Sequence, residues 1–241
     1  INISPETKIG KLKGYSAEQH MKGNLETYSI VDDSGNEFPP LPKEKFLKFI
    51  EKNKYSVAAN GVLYRTDKVG VIPEILSVWF DKRVEYKNLM KKYGKEGNDE
   101  QYKFYGKRQL VQKIMLNSLY GVLGLPSFRF YDVDNAEAVT LTGQTVIKTT
   151  EMIANQYYSK NIGETKDYNI YVDTDSVFYS AIPLVKQRFP NADLSDDKFM
   201  TEQILEIADE VQSYINKSYV YFAQKLKNKL KLWYYSYILS S

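Results

Sequence analysis

The sequence has no cysteine and only one histidine, His20. The lack of cysteine excludes a disulfide framework, a thiolate zinc site, an iron–sulfur cluster and a cysteine nucleophile. A single histidine excludes multi-histidine metal sites and argues against a Ser-His-Asp triad. Because its neighbours in the sequence are polar, we expect His20 to lie on the surface. Any catalysis must therefore depend on carboxylates, lysine, arginine, tyrosine or hydroxyl groups.

Long apolar runs are also missing, and the N-terminus has no basic segment followed by an apolar one. These absences argue against a transmembrane helix and a signal peptide, so we expect no membrane partner and a cytoplasmic location. The 241 residues are 43% hydrophobic and 26% charged, which is typical of a globular chain with a real core. A net charge of +3 permits a nucleic-acid partner without arguing for one.

The most informative stretch of the sequence is residues 168–181. Residues 168–181 contain two runs of β-branched and aromatic residues on either side of Asp-Thr-Asp-Ser at 173–176. A polar tetrapeptide between two such runs predicts a β-hairpin. Since a strand buries alternate residues, the predicted anchors of the hairpin are Ile170, Val172, Val177 and Tyr179.

This turn would hold the carboxylates of Asp173 and Asp175 within a few ångströms of each other. Their repulsion is relieved either by protonation or by a cation. The segment offers neither nitrogen nor sulfur ligands, so a hard divalent ion with oxygen ligands is the favoured partner. Taken alone, however, Asp-x-Asp is also ordinary turn chemistry.

The remaining patterns predict an α+β chain with helices packed against few strands. In the first half of the chain, the predicted elements are a turn at 33–36, a helix at 43–53, a hairpin turning at 60–61, a helix from Pro73 to Lys92, a break at 93–98 and a helix at 99–119. In the second half, they are a short strand around 128–131, a helix that is capped by Asp134 or Asn135 and ends at about Tyr158, the hairpin described above, and a helix beginning near 195–197.

The second long helix carries an unusual set of side chains. Lys113, Asn117, Tyr120 and Gly121 are spaced so that they share one helical face. An ammonium group, an amide, an aromatic ring and a bare glycine suit a triphosphate and a flat base. The alternative is an exposed helix face that ends in a Tyr-Gly C-cap.

At this point the sequence resembles a known family. Residues 113–121 (Lys-x-x-x-Asn-Ser-x-Tyr-Gly) resemble motif B of the family B DNA polymerases, and residues 171–176 (Tyr-x-Asp-Thr-Asp-Ser) resemble their motif C. Both stand in the family's order. Residues 2–7 and 60–64 are similar to the palm of the replicative polymerases of tailed bacteriophages, and residues 80–87 to their first fingers helix.

The resemblance covers roughly residues 1 to 180 and implies a fold. That fold is a polymerase palm, an antiparallel sheet with packed helices, which carries an antiparallel two-helix fingers excursion. Residues 1–72 would form the first part of the palm, 73–124 the fingers, and 125–241 the second part of the palm.

The resemblance also implies an activity, which is template-directed nucleotidyl transfer from a dNTP to a primer 3′-hydroxyl. Two Mg²⁺ ions, replaceable by Mn²⁺, would be held by Asp173 and Asp175. The implied partners are primer–template DNA, dNTPs and, for the full-length protein, a sliding clamp; for a viral protein the location would be the cytoplasm of the host cell.

The resemblance implies roles for the fingers residues as well. Arg83, Lys87 and Lys113 would grip the triphosphate. Asn117 and Tyr120 would line the pocket of the nascent base pair, and Gly121 would leave room for the template base.

The sequence also departs from the family. It contains no Asp-x-x-Ser-Leu-Tyr-Pro motif, which would supply a further aspartate, and no Lys-Lys-x-Tyr segment. Val172 replaces the glycine that many phage relatives have before Asp-Thr-Asp, and the tail at 229–241 does not match. We therefore expect a palm-and-fingers fragment without exonuclease and thumb domains, which binds Mg²⁺ weakly and is inactive alone.

Two alternatives remain open. The chain could be a non-catalytic DNA-binding or assembly subunit of a split polymerase. It could also be an unrelated Mg²⁺ nuclease with two carboxylates, although the motif B residues would have no role in such an enzyme.

Overall fold

The computed structural model describes residues 2–173 and 176–225, with side chains up to residue 220. It confirms an α+β chain with antiparallel sheets and packed helices. The strands are β1 (Lys8–Leu12), β2 (Thr27–Tyr28), β3 (Ile30–Val31), β4 (Leu41–Pro42), β5 (Tyr55–Val57), β6 (Val62–Arg65), β7 (Asn169–Asp173) and β8 (Ser176–Tyr179). The helices are α1 (Ala17–Lys22), α2 (Lys43–Lys52), α3 (Val71–Lys95), α4 (Asp99–Leu123), α5 (Val133–Ile162), α6 (Ile182–Arg188) and α7 (Asp197–Lys225). The chain divides into two compact units, residues 1–140 and 141–241.

The first unit contains a four-stranded antiparallel sheet in the order β3-β1-β6-β5. The predicted hairpin at Asn60-Gly61 is confirmed and forms its β5–β6 edge. Gly61 has φ +84°, and a Cβ there would come within 2.9 Å of Tyr15, so glycine is required on both grounds. The predicted helix at 43–53 is confirmed as α2, which buries Phe46 and Ile50 in the same core as β1 and β5.

The prediction that His20 lies on the surface is wrong. Its side chain is buried, on a short helix, α1, that the sequence patterns did not reveal. Its Nδ1 is 2.9 Å from the hydroxyl of Tyr28, and its ring also lies against Tyr15. These two tyrosines come from outside the helix, so the polar neighbours of His20 in the sequence were a poor guide to its burial.

The antiparallel pair of long helices is confirmed, but both helices are longer than predicted. Helix α3 begins at Val71, two residues before Pro73, and continues to Lys95, and α4 continues to Leu123. Gly94 faces Tyr102 and Gly106 faces Met90, which sets the register between the two helices. Their interface also contains a stacked ring pair, Tyr93 and Tyr105, with centroids 5.5 Å apart.

The predicted strand at 128–131 is wrong, because this segment forms consecutive turns. The N–H of Phe128 donates to the carbonyl of Leu125, and the N–H of Tyr131 donates to the carbonyl of Phe128. Helix α5 then begins at Val133, slightly earlier than predicted. Its cap is Asp132, whose Oδ1 accepts hydrogen bonds from the backbone N–H groups of residues 134 and 135.

A charged network fixes this first turn of α5 to the sheet of the same unit. The ammonium group of Lys8 on β1 is 3.0 Å from both Asp132 and Asp134, and Asp33 is 3.3 Å away. Burial opposes the charge on Lys8, but its hydrogen bonds to Asp132 and Asp134 outweigh this effect, so the pKa of Lys8 is raised. A second lysine, Lys11, binds Asp134 at 2.7 Å.

The second unit contains the rest of α5 together with β7, β8, α6 and α7. The predicted hairpin and the predicted helix near 195–197 are confirmed as β7–β8 and α7. Helix α6 was not predicted; it buries Leu184 and Val185 in a core with Tyr158, Tyr168 and Ile207.

Of the predicted hairpin anchors, Ile170 is wrong, since 67% of it is exposed. A register shift between Asn169 and Tyr171 interrupts the alternation of the strand and turns Ile170 outward.

Across residues 2–173 and 176–225, no helix has the length and apolar character needed to cross a membrane.

Candidate functional site

The β7–β8 hairpin places Asp173 at the end of β7. Asp173 pairs with Ser176, and Val172 pairs with Val177, so the two strands predicted on either side of the turn pair with each other. The side chain of Asp173 is exposed. Its predicted partner Asp175, together with Thr174, lies outside the described residues.

Polar side chains of α5 hold the N-terminal end of β7. The amide oxygen of Asn155 accepts a hydrogen bond from the backbone N–H of Tyr168, and its amide nitrogen donates to Asp167, both at 2.9 Å. The hydrogen bond from Asn155, together with one from the backbone N–H of Asn169, lowers the pKa of Asp167. One turn earlier on α5, Glu151 accepts a hydrogen bond from the side chain of Asn169 at 2.9 Å. Two consecutive turns of α5 therefore fix where the strand begins.

Tyrosines support the same hairpin. Tyr158 of α5 is buried and stacks against Tyr179 of β8, with ring centroids 5.2 Å apart, and it also contacts the ring of Tyr168. Burial raises the pKa of Tyr158 to about 12. The hydroxyl of Tyr179 donates to the backbone carbonyl of Glu151 at 2.9 Å. A two-stranded ribbon is marginal by itself, so these contacts stabilise the strand that carries Asp173.

On α3, the structure brings Arg83 and Lys87 together. Partial burial, together with the like charges of Arg83 and Lys91, lowers the pKa of Lys87. The Nε of Arg83 is buried and has no hydrogen-bond partner among the described residues. The unsatisfied Nε of Arg83 lies near the like charges of Lys87 and Lys91, and this combination favours the binding of an anion.

On α4, Lys113, Asn117, Tyr120 and Gly121 all lie on an exposed face. The hydroxyl of Tyr120 is 2.6 Å from that of Thr140. Gly121 is not a C-cap, since α4 continues to Leu123 and Gly124 follows as the cap. A Cβ at Gly121 would meet no atom within 4 Å. Neither capping nor internal packing therefore explains a glycine that weakens a helix interior by about 0.5–1 kcal/mol.

The register of the helical hairpin relates these two sets of residues. Counting seven residues from Met90 back to Arg83, and seven from Gly106 forward to Lys113, places Arg83 level with Lys113. Both steps are close to two helical turns, so both residues stay on the flank where Met90 meets Gly106. Lys87 lies between these positions on the same face of α3. The hairpin therefore gathers three cations on one flank.

In the sequence, Asp173 and Asp175 offer carboxylate oxygens, which are the ligands that hard divalent cations prefer. No group of three or more potential metal ligands occurs within residues 2–173 and 176–225. The three aspartates around Lys8 are bound to its ammonium group instead.

Sequence reasoning missed the residues that support the β-hairpin, namely Glu151, Asn155 and Tyr158. Their spacing was visible, because they lie four and three residues apart on one face of α5. A polar stripe on a helix next to a predicted strand was the available signal. The partners of Lys8 gave no such signal, because Asp132 lies far from it along the chain.

Comparisons with known proteins give consistent results. The sequence profile of DNA polymerase family B matches residues 20–241. The DNA-directed DNA polymerase of Escherichia phage RB69 is 26% identical over 234 residues, which cover 77% of this chain and 23% of the phage protein. DNA polymerase 1 of Sulfolobus acidocaldarius is 36% identical over 135 residues, which cover 55% of this chain and 15% of the archaeal protein.

Among solved structures, a family B DNA polymerase from the hyperthermophilic archaeon Pyrobaculum calidifontis aligns with a TM-score of 0.44 and 24% identity, over 78% of this chain and 20% of that protein. The chain thus spans less than a quarter of the length of the curated relatives described here.

Proposed function

The chain belongs to DNA polymerase family B, and on this premise we propose that it forms the palm and fingers of a DNA-directed DNA polymerase. Residues 1–72 and 125–241 belong to the palm, and residues 73–124 to the fingers. The reaction is template-directed transfer of a nucleotide from a dNTP to a primer 3′-hydroxyl. The sequence comparisons with phage polymerases support this assignment and favour action in the cytoplasm of a host cell.

Asp173 and Asp175 are the proposed catalytic carboxylates and would hold Mg²⁺, or Mn²⁺ in its place. Two such ions would activate the primer hydroxyl and neutralise charge on the departing pyrophosphate. The role of the chain is to hold these two carboxylates in place. The contacts of β7 with Asn155 and Glu151 support this role.

The cationic flank of the α3–α4 hairpin is the proposed triphosphate site. The unsatisfied Nε of Arg83 donates to a phosphate oxygen, and Lys87 and Lys113 add charge. Asn117 and Tyr120 line the pocket for the nascent base pair. Gly121, beside which the described structure leaves open space, gives the template base room.

Primer–template DNA and dNTPs are therefore the proposed substrates. A sliding clamp is a further proposed partner of the full-length protein, supported by the family resemblance alone. The alternative is a non-catalytic DNA-binding or assembly subunit of a split polymerase.

The observation that carries the proposal is that one family B chain contains both an Asp-x-Asp β-hairpin and a cationic flank with an orphaned arginine donor. The test is primer extension by a polypeptide in which the remaining family segments flank this chain. We expect extension with Mg²⁺. Recovery of synthesis only when the chain is mixed with a separate partner protein would favour the split-polymerase alternative.

A further inference from the structure

The α3–α4 hairpin carries a net positive charge. Residues 71–123 contain ten lysines and arginines against six acidic residues, a net charge of +4. Residues 101–131 contain no aspartate or glutamate at all. A basic surface of this kind suits a polyanion.

Part of this charge lies away from the proposed triphosphate site. Phe104 precedes Lys113 by nine residues, which places it half a turn around α4. Lys103, Lys107 and Arg108 surround Phe104 and are exposed. We call these four residues the outer face of α4.

The outer face contains an exposed ring with a cation stacked on it. Phe104 is 45% exposed, and the guanidinium carbon of Arg108 is 4.6 Å from the centroid of its ring and 5.9 Å from that of Tyr86. Other apolar side chains of α4, such as Leu110 and Ile114, are exposed to a similar degree, but Phe104 offers a flat ring with a guanidinium group over it. Exposed rings and arginine planes next to lysines are how proteins bind single-stranded nucleic acid, with bases stacking and phosphates meeting the cations.

We propose that the outer face of α4 binds single-stranded nucleic acid, with a base stacked on Phe104 and Arg108 and the phosphates along Lys103 and Lys107. This binding needs neither a metal ion nor a nucleotide, and it is separate from the proposed catalytic role. Charge complementarity and the Phe104–Arg108 pair together select this partner over an acidic protein surface, which has no flat bases to stack.

The test is fluorescence anisotropy of a labelled fifteen-nucleotide oligo-dT with the whole chain, in EDTA and without dNTPs. Phe104→Leu keeps an apolar side chain but removes the ring. We expect it to raise the Kd for oligo-dT about fivefold or more and to leave the Kd for an abasic oligonucleotide of the same length unchanged. The comparison of the two oligonucleotides isolates stacking from any general loss of folding.

The lysines are tested by Lys103→Ala/Lys107→Ala, with Lys45→Ala/Lys48→Ala on the exposed side of α2 as the matched control. The first pair should weaken binding of both oligonucleotides and reduce the salt slope by about 1.4, since each lost phosphate contact contributes about 0.7. The control pair should bind like the parent chain. A parallel titration with oligo-rU shows whether the outer face of α4 prefers RNA or DNA. A lower Kd for either oligonucleotide is consistent with the proposed site.

Three results would overturn the proposal. These are unchanged oligo-dT binding by Phe104→Leu, an equal loss for the abasic oligonucleotide, and displacement of oligo-dT by polyglutamate of matched charge as readily as by unlabelled oligo-dT. If the oligonucleotide-binding test fails, the proposed polymerase function still stands, because primer extension depends on the proposed catalytic carboxylates and not on the outer face of α4.

Discussion

The two units of this chain hold their parts of α5 by different physical means. In the first unit, Lys8 and Lys11 bind the carboxylates at the start of the helix. In the second unit, Tyr158 and the hydroxyl of Tyr179 join the helix to the β-hairpin. Acid should therefore weaken the first junction more than the second, whereas loss of aromatic packing should weaken the second junction more than the first.

The largest change is expected from Tyr158→Ala. Tyr158 is 2% exposed and contacts two other tyrosine rings, so its loss leaves a cavity beneath β7 and β8. We expect the free energy of unfolding to fall by about 3–5 kcal/mol, measured by urea denaturation. The matched control is Tyr171→Ala, at a ring that is 57% exposed, which should cost less than about 1 kcal/mol. Equal losses would contradict the aromatic account of this junction.

The next largest change is expected from Lys8→Met at neutral pH. Only 10% of the Lys8 side chain is exposed, and its removal leaves Asp132 and Asp134 without their shared counter-charge. We expect a loss of about 3 kcal/mol, as for breaking a buried ion pair. The control Lys13→Met removes a lysine that is 64% exposed, and it should have an effect below about 1 kcal/mol.

The loss of stability in Lys8→Met should depend on pH. The pKa of Asp134 is lowered from its ordinary 3.8, because the hydrogen bonds from Lys11 and Lys8 outweigh the effect of burial. Its contribution to stability is therefore present above pH 3.8 and is lost as the pH falls through the lowered pKa. The difference between the parent chain and Lys8→Met should shrink over that range. A difference that stays constant down to pH 2.5 would show that packing, not charge, sets the effect.

A smaller change is expected from Tyr179→Phe, which removes only the hydroxyl that donates to the carbonyl of Glu151. The expected loss is about 1 kcal/mol, the usual net value of one hydrogen bond, with no change in its pH dependence between pH 4 and 8. Tyr120→Phe is the control, since its hydroxyl is exposed. If Tyr120→Phe lowered the free energy of unfolding as much as Tyr179→Phe, the hydrogen bond from Tyr179 to Glu151 would not specifically stabilise the junction between α5 and the β-hairpin.

The smallest change in stability is expected from Lys113→Ala, because this side chain is an exposed group of the proposed site and supports neither junction. Unfolding should change by less than about 0.5 kcal/mol. In primer extension, by contrast, the KM for dNTP should rise about tenfold, as for loss of one charge-assisted hydrogen bond. Lys95→Ala, at an exposed lysine near the tip of the same hairpin, should leave KM unchanged. An unchanged KM in Lys113→Ala would remove this lysine from the triphosphate site.

The sequence predicted elements whose signals are local. The helical hairpin follows from apolar periodicity, and the β5–β6 turn follows from Asn60-Gly61, whose glycine takes a positive φ. The β7–β8 hairpin follows in the same way from a polar turn between two β-forming runs. These patterns do not depend on distant residues, so they could be recognised without a structure.

The errors fall where distant residues decide the outcome. His20 is buried because Tyr15 and Tyr28 cover it. The segment around Phe128 forms turns and does not pair with a strand. In the candidate site, the residues of α3 and α4 were identified from spacing and resemblance. The supports of the β-hairpin on α5 were missed, because their partners are known only once the chain has folded.

Primer extension by the chain, flanked by its remaining family segments, measures whether the Asp-x-Asp hairpin supplies carboxylates for nucleotidyl transfer. Asp173→Asn and Asp175→Asn should each abolish extension with Mg²⁺ while leaving primer–template binding unchanged by anisotropy. The control Asp209→Asn, at an exposed aspartate of α7, should extend primers like the parent. Extension retained by either hairpin variant would contradict the assignment.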